Sequence, residues 1–404
     1  MAVSNFWRDA RRAARFGLLI LAITLTACGN DAGTTASVKP AMRGLIDLGD
    51  MGFYTQPSAR AIPTNIPSEV EPFAQSFNGI VINLTWAQLQ PDGPTPLGRD
   101  NALNQALAAV VAYNQQNPGA QLKVKLRVWA GLVAPNWIKD REGPIPINFY
   151  DPHSGITETG TVGQWWTPAY IQAWRALQRR LARRYDHRQL IEEIAVTSCA
   201  SNTDEPFISW NADPATIQTL HQYGYSDAAQ QSCLYGAIAD YSSWKRTPID
   251  FPFSQFQNTD EDVPPDPKIT TDPGFTVAVM RQCHASGHCI LNNQALRDPA
   301  YAPDLVVYNE MSALYSQSPS STPLDFQTAA PTNIGSWCGA IGNGIRLHGL
   351  SYEMWGDYGG FKTMPDGPAI MANLAHAVRT DTQPAPSPCP AAVITPPSTT
   401  AAVR

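Results

Sequence analysis

Ile194-Ala-Val-Thr197 runs directly into Ser198-Cys-Ala-Ser-Asn-Thr-Asp-Glu205-Pro206, an apolar, strand-like segment that ends in polar and acidic residues. The pattern recurs 150 residues later, where Leu350-Ser-Tyr352 leads into Glu353-Met-Trp355. Working outward, runs with strand character fall at Gly44–Leu48, Gly79–Leu84, Leu122–Val128, Ile191–Thr197, Pro248–Phe253, His288–Asn292, Pro323–Phe326 and Leu350–Tyr352. Helical patterns lie between them, the clearest at Asn101–Gln115, Thr167–Tyr185, Ala300–Gln317 and Ile334–Leu347. Thr167-Pro168 reads as an N-cap followed by proline at the first helical position. Eight strands alternating with helices predict an α/β chain closed as a (β/α)8 TIM barrel. An open doubly wound sheet is the alternative, but no glycine-rich phosphate loop follows the first run.

The bulk numbers agree with one large domain. The chain has 404 residues, 43% hydrophobic and 15% charged. A formal net charge of −6 argues against nucleic acid as a partner, because phosphate binding needs a basic face. Eleven Trp and fourteen Tyr suit sugar rings and large cores equally.

The N-terminus speaks to location. Arg8, Arg11, Arg12 and Arg15 precede the short apolar run Phe16–Leu25, and Leu25-Thr-Ala-Cys28-Gly29 follows. This looks like a bacterial lipobox in which Cys28 carries the lipid, since the apolar run is short for a bilayer span. The expected organisation is a lipoprotein signal peptide at 1–27, a tether at 28–42, a barrel at 43–381 and a Pro/Thr/Ala-rich tail at 382–404. The expected location is the cell membrane, lipid-anchored and facing the periplasm or exterior.

With Cys28 assigned to lipid, six cysteines remain, an even number suited to disulfides in an exported chain. The expected pairs are Cys283 with Cys289, Cys199 with Cys233, and Cys338 with Cys389. His284 and His288 inside the first of these loops open a metal reading, but the spacing matches no common zinc pattern. No metal and no cofactor are expected, and the chain is expected to be a monomer.

Asp204-Glu205-Pro206 is the strongest single candidate. A retaining glycosidase needs a carboxylic acid that protonates the leaving oxygen and then activates water. Thr85-Trp86-Ala-Gln-Leu-Gln90-Pro91-Asp-Gly93 follows the second strand, and Arg127-Val-Trp129-Ala-Gly131 closes the third, leading to Ala134-Pro135-Asn-Trp137. Together these resemble the retaining-clan barrel glycoside hydrolases, particularly β-galactosidase-like members, in order of elements from Gly44 to Arg379. The resemblance is motif-deep at the second to fourth strands. It implies Glu205 as acid/base, although Asp204 stands where that family has Asn and Gln90 where it often has Glu. It also implies a Glu nucleophile at the seventh strand end, where this chain has Gln327 within Pro323-Leu-Asp325-Phe-Gln327-Thr328. An amide cannot attack an anomeric carbon as a carboxylate does. Glu353 is the replacement candidate and Asp325 a third, because strand alternation puts Asp325 on the face of Gln327.

Asp47, Trp86, Arg127, Trp129, Asn202, Asn292, Gln327 and Trp355 are the expected sugar-binding residues. For Asp47, a salt bridge with Arg127 is the favoured reading; Asn292 and Asn293 could equally cap a loop. Trp174 is expected in the core, and the arginines from Arg175 to Arg184 on a solvated helix face. Three functions remain: a lipid-anchored hydrolase of envelope or environmental glycans, a carbohydrate-binding barrel that cleaves nothing, and a structural envelope lipoprotein, which would have no deep cleft.

Overall fold

The computed structural model describes residues 37–49, 65–151, 156–201, 205, 208, 214–260, 268–356, 360–364 and 366–389. Its centre is a closed barrel of eight parallel strands. They are β1 (Gly44–Asp47), β2 (Phe77–Thr85), β3 (Lys123–Trp129), β4 (Ile191–Ala195), β5 (Ile249–Pro252), β6 (Cys289–Leu296), β7 (Leu324–Thr328) and β8 (Ser351–Met354). Each strand pairs with its sequence neighbours, and β8 closes on β1 through Gly44–Ser351 to Asp47–Met354. All eight expected strands are present, with ends displaced by no more than four residues.

The helices that cover the barrel include Ala102–Gln116, Pro168–Tyr185, Asp227–Asp240, Pro273–Ala285, Leu305–Gln317, Trp337–Arg346 and Gly367–Thr380. Thr167 caps the second of these, its Oγ1 accepting from the Tyr170 backbone N–H at 3.4 Å. Two antiparallel hairpins escaped the sequence reading: Ile145–Asp151 with Ile156–Val162, and Gln257–Asp260 with Lys268–Thr271. Both interrupt strand-to-helix connections, so neither breaks the alternation that identifies the barrel.

Strand alternation sorts the core into two compartments. Outward residues such as Ile80, Ile82, Leu84, Val124, Leu126 and Val128 are buried beneath the helices with Leu103, Leu107, Trp174 and Leu177. Inward positions are polar to an unusual degree: β3 alone turns Lys125, Arg127 and Trp129 toward the axis. Barrel interiors are ordinarily filled by bulky branched apolar side chains.

Two sequence expectations are revised. The expected tether reaches into the fold, because Lys39 Nζ donates to the Arg188 and Ile191 carbonyls at 2.8 and 2.7 Å and to Thr247 Oγ1 at 2.7 Å. The Met42 N–H also donates to Glu193 Oε1 at 2.6 Å. The arginine face is not merely solvated: Arg184 donates to the Leu97 and Gly98 carbonyls, Arg180 to that of Pro94, and Arg175 pairs with Asp240. It straps down the loop after β2. The start of the expected tail is joined to the domain through Cys389, as the expected pair with Cys338 requires. All three bridges form as paired in the sequence: Cys199–Cys233, Cys283–Cys289 and Cys338–Cys389.

Candidate functional site

The C-terminal strand ends place several expected residues around one mouth and withdraw others from it. Trp129, Trp355, Val133 and Ala330 cluster there, with half-buried Trp337 against them. Trp129 Nε1 donates to Asn83 Oδ1 at 3.1 Å, and Asn83 Nδ2 donates to the Leu48 carbonyl at 2.8 Å, so the indole is fixed by the two preceding strands.

Glu205 lies in the loop after β4, almost fully buried, and its Oε1 accepts from Ser254 Oγ at 2.8 Å. The segment from β4 to Ser201 is tightly braced. Cys199 adopts the left-handed conformation (φ 64°), is bridged to Cys233, and its carbonyl accepts from Gln230 Nε2 at 2.8 Å. The neighbouring loop after β3 fits only because residue 131 is glycine. Its φ is +54°, and a Cβ there would sit 1.9 Å from the Ser201 carbonyl oxygen. Ser254, two residues beyond β5, was invisible in the sequence because its partner is in a different loop.

Glu353 is placed differently from the expected open carboxylate. It is fully buried inside the barrel, with Oε1 at 2.8 Å from Lys125 Nζ and Oε2 at 2.6 Å from Arg127 Nη2. Burial opposes its ionisation, but the adjacent guanidinium and ammonium outweigh this and hold its pKa below the ordinary carboxylate value. Gln327 accepts from Arg127 Nη1 at 3.3 Å, so one arginine spans the ends of β3, β7 and β8.

Below this lies a cluster that no sequence motif announced. Lys125 Nζ is 3.0 Å from Glu193, 3.0 Å from Asp250 and 3.4 Å from Asp325, besides Glu353. All five side chains are wholly buried. Two cations, Lys125 and Arg127, thus face four carboxyls, Glu193, Asp250, Asp325 and Glu353. Electroneutrality in so dry a space requires bound protons. Asp325 is the natural holder, since burial and then the charge of Glu193, to which it is hydrogen-bonded, raise its pKa well above the usual range despite Lys125. Burial lifts Asp250 to about 6, against the pull of Lys125. Burial likewise works against the Lys125 ammonium, but Asp250, Glu193, Glu353 and Asp325 together raise its pKa well above that of a free lysine.

Asp250 makes stability pH-dependent in a defined window. Its folded pKa is raised, so its contribution is fully present below the unfolded aspartate value and is lost as pH climbs toward about 6. The stability lead of wild type over Asp250→Asn should therefore shrink by on the order of 2–3 kcal/mol between pH 4 and 6.5. Denaturant midpoints across that range measure it; a lead that grows with pH would refute the assignment.

Other expected sugar contacts are corrected by position. Trp86 lies outside the barrel wall, fully buried among Trp137, Tyr170 and Trp174, with ring centroids 5.2–5.7 Å away. It turned outward because Thr85, not Trp86, continues the inward row of Val81 and Asn83. Gln90 is a brace for it, accepting from Trp86 Nε1 at 3.1 Å and donating to the Thr95 carbonyl at 2.7 Å. Arg127 takes Glu353 as its partner, not Asp47, whose Oδ1 accepts from the Gly49 N–H at 3.1 Å. Asn292 faces inward and donates to Asp250 Oδ2 at 2.8 Å, at the level of the charge cluster. Asn293 faces outward, bonded to Phe253 and Tyr308. Asp325 does share the inward face with Gln327, but deep in the barrel. Asn202, Asp204 and Cys28 lie outside the described residues.

No protein-family model and no curated protein matches the sequence. Solved structures do show similarity. A cold-adapted β-galactosidase from Rahnella sp. R3 aligns over 85% of this chain and 58% of its own, with TM-score 0.47 and 10% identity. Endo-glycoceramidase II from Rhodococcus sp., in complex with a five-membered iminocyclitol, aligns over 78% and 72%, with TM-score 0.39 and 12% identity. The carboxyl transferase domain of Rhizobium etli pyruvate carboxylase aligns over 79% and 41%, with TM-score 0.35 and 9% identity. This chain therefore spans 58% of the length of the Rahnella protein.

Proposed function

We propose that this chain is a lipid-anchored glycan-binding barrel that does not cleave glycosidic bonds by double displacement. The observation that carries the reading is the state of the second carboxylate. Gln327 stands where the resembled family keeps its nucleophile, and both oxygens of the buried Glu353 are engaged by Lys125 and Arg127. A nucleophile needs an oxygen free to approach the anomeric carbon. What remains at the mouth suits sugar binding: Glu205 held by Ser254, and the indoles of Trp129, Trp337 and Trp355. The anchoring half of the reading rests on the Leu25–Gly29 lipobox.

The second reading, a hydrolase with Glu205 as acid/base and Glu353 as nucleophile, is favoured by one fact. Arg127 and Lys125 keep Glu353 ionised, as a nucleophile must be. One set of measurements separates the two. Wild type should bind an oligosaccharide panel, turn over no 4-nitrophenyl glycoside above background, and partition to membranes in a Cys28-dependent way. Turnover that falls at least about a hundredfold in Glu205→Gln on poor leaving groups would establish the hydrolase instead. Membrane partitioning unchanged in Cys28→Ala would remove the anchor.

A further inference from the structure

A cavity lies at the pole opposite the mouth. Its volume is about 750 Å³. Its walls come from the segments that enter strands: Val38–Gly44 before β1, Gly287 and His288 before β6, Pro319–Pro323 before β7, and His348–Leu350 before β8. The end of the last helix, Val378, Arg379 and Asp381, completes it. In barrels of this kind the N-terminal pole normally serves stability alone, so a roomy cavity there calls for an occupant.

We propose that this cavity binds a phosphate-bearing ligand. Lys39, Arg43 and Arg379 line it against a single carboxylate, Asp381, in a chain whose overall charge is −6. Arg43 and Arg379 are exposed, and neither forms an ion pair with a carboxylate among the described residues. Their guanidinium forks remain available, and a fork matches paired phosphate oxygens better than any other side chain does. Lys39 plays another part. Its three protons are spent on Arg188, Ile191 and Thr247, so it supplies positive field from a fixed point.

The walls are stiff, which lowers the ordering cost of binding. The Cys283–Cys289 bridge closes the loop that carries Gly287 and His288. Tyr315 and His348 stack face to face at 4.2 Å with an 11° interplanar angle, fixing the helix Leu305–Gln317 to the segment that enters β8. Ser320 and Ser321 add hydroxyls on the same wall. The volume exceeds what one phosphate fills and falls in the usual range for organic ligands. The shared chemistry is a phosphate ester, carried by a soluble sugar phosphate or by a lipid headgroup.

Titration calorimetry with inorganic pyrophosphate and glucose 6-phosphate, and flotation with phosphatidylglycerol against phosphatidylcholine vesicles, test both sources on the whole chain. Saturable binding of either soluble probe assigns a soluble ligand; binding only to phosphatidylglycerol vesicles, by a Cys28→Ala chain without lipid, assigns a headgroup. In either case Arg43→Gln and Arg379→Gln should each weaken binding about tenfold or more. Glycan binding at the mouth should be untouched by both variants, which keeps this test separate from that of the mouth. No binding to any of the four probes, or binding equal in the double variant, would overturn the proposal.

Discussion

Replacing Lys125 with methionine should cost about 3–5 kcal/mol of folding stability, the scale for removing one partner from a buried ionic group. That is a third or more of what typically holds a domain together. The reason is arithmetic. Lys125 neutralises Glu193, Asp250, Asp325 and Glu353 at 2.8–3.4 Å, and without it Arg127 alone must serve four carboxyls. The carboxyls then hold protons in the folded state that they release on unfolding. Their folded pKa values rise, so the variant loses stability as pH rises through them and is least impaired in acid. Guanidinium midpoints at pH 5 and pH 8 should show the larger deficit at pH 8. A variant within about 0.5 kcal/mol of wild type at both values would mean that water reaches the cluster.

The second large effect concerns the Cys199–Cys233 bridge. It closes a 34-residue separation, for which chain entropy alone gives roughly 3–4 kcal/mol. Cys199→Ser with Cys233→Ser should lower the denaturant midpoint accordingly, and reductant should lower wild type at least as far, since it also opens the other two bridges. The proposed glycan binding should suffer as well. Cys199 holds the left-handed turn from which the chain proceeds to Glu205, so glycan affinity should fall even where the variant remains folded. Affinity unchanged at a lowered midpoint would show that the Glu205 loop is positioned without help from the bridge.

The fold was legible because its signal is repetitive: eight apolar runs separated by helical spacing leave few closed topologies. The three bridges were legible for a similar reason, few cysteines and short spans. The hairpins were missed because Ile156-Thr-Glu-Thr-Gly-Thr-Val162 and Lys268-Ile-Thr-Thr271 are polar enough to pass for loops. The site divides more instructively. Glu205 was singled out through its Pro and its position after a strand, and it lies in the loop after β4. The charge cluster was missed although its signal was present. In Lys123-Val-Lys-Leu-Arg-Val-Trp129 every second residue is polar or aromatic, which a reader takes for a solvated face. In a closed barrel there is no solvated face; the polar row is the inside. Glu353 was misplaced for the same reason, because a strand end in sequence does not tell whether its carboxyl rises to the mouth or dips toward a buried lysine.

The segments that enclose the polar cavity have one more implication. Residues 38–44 and 378–381, the two ends of the barrel domain, are walls of the same cavity and so are neighbours in space. A domain with adjoining ends can be cut and rejoined in another order. A short linker from Asp381 back to Lys39, with new ends opened in an exposed loop such as 92–99, preserves every strand pairing. Whatever is spliced onto either original end leaves from the far pole, and the opening ringed by tryptophans stays clear of it.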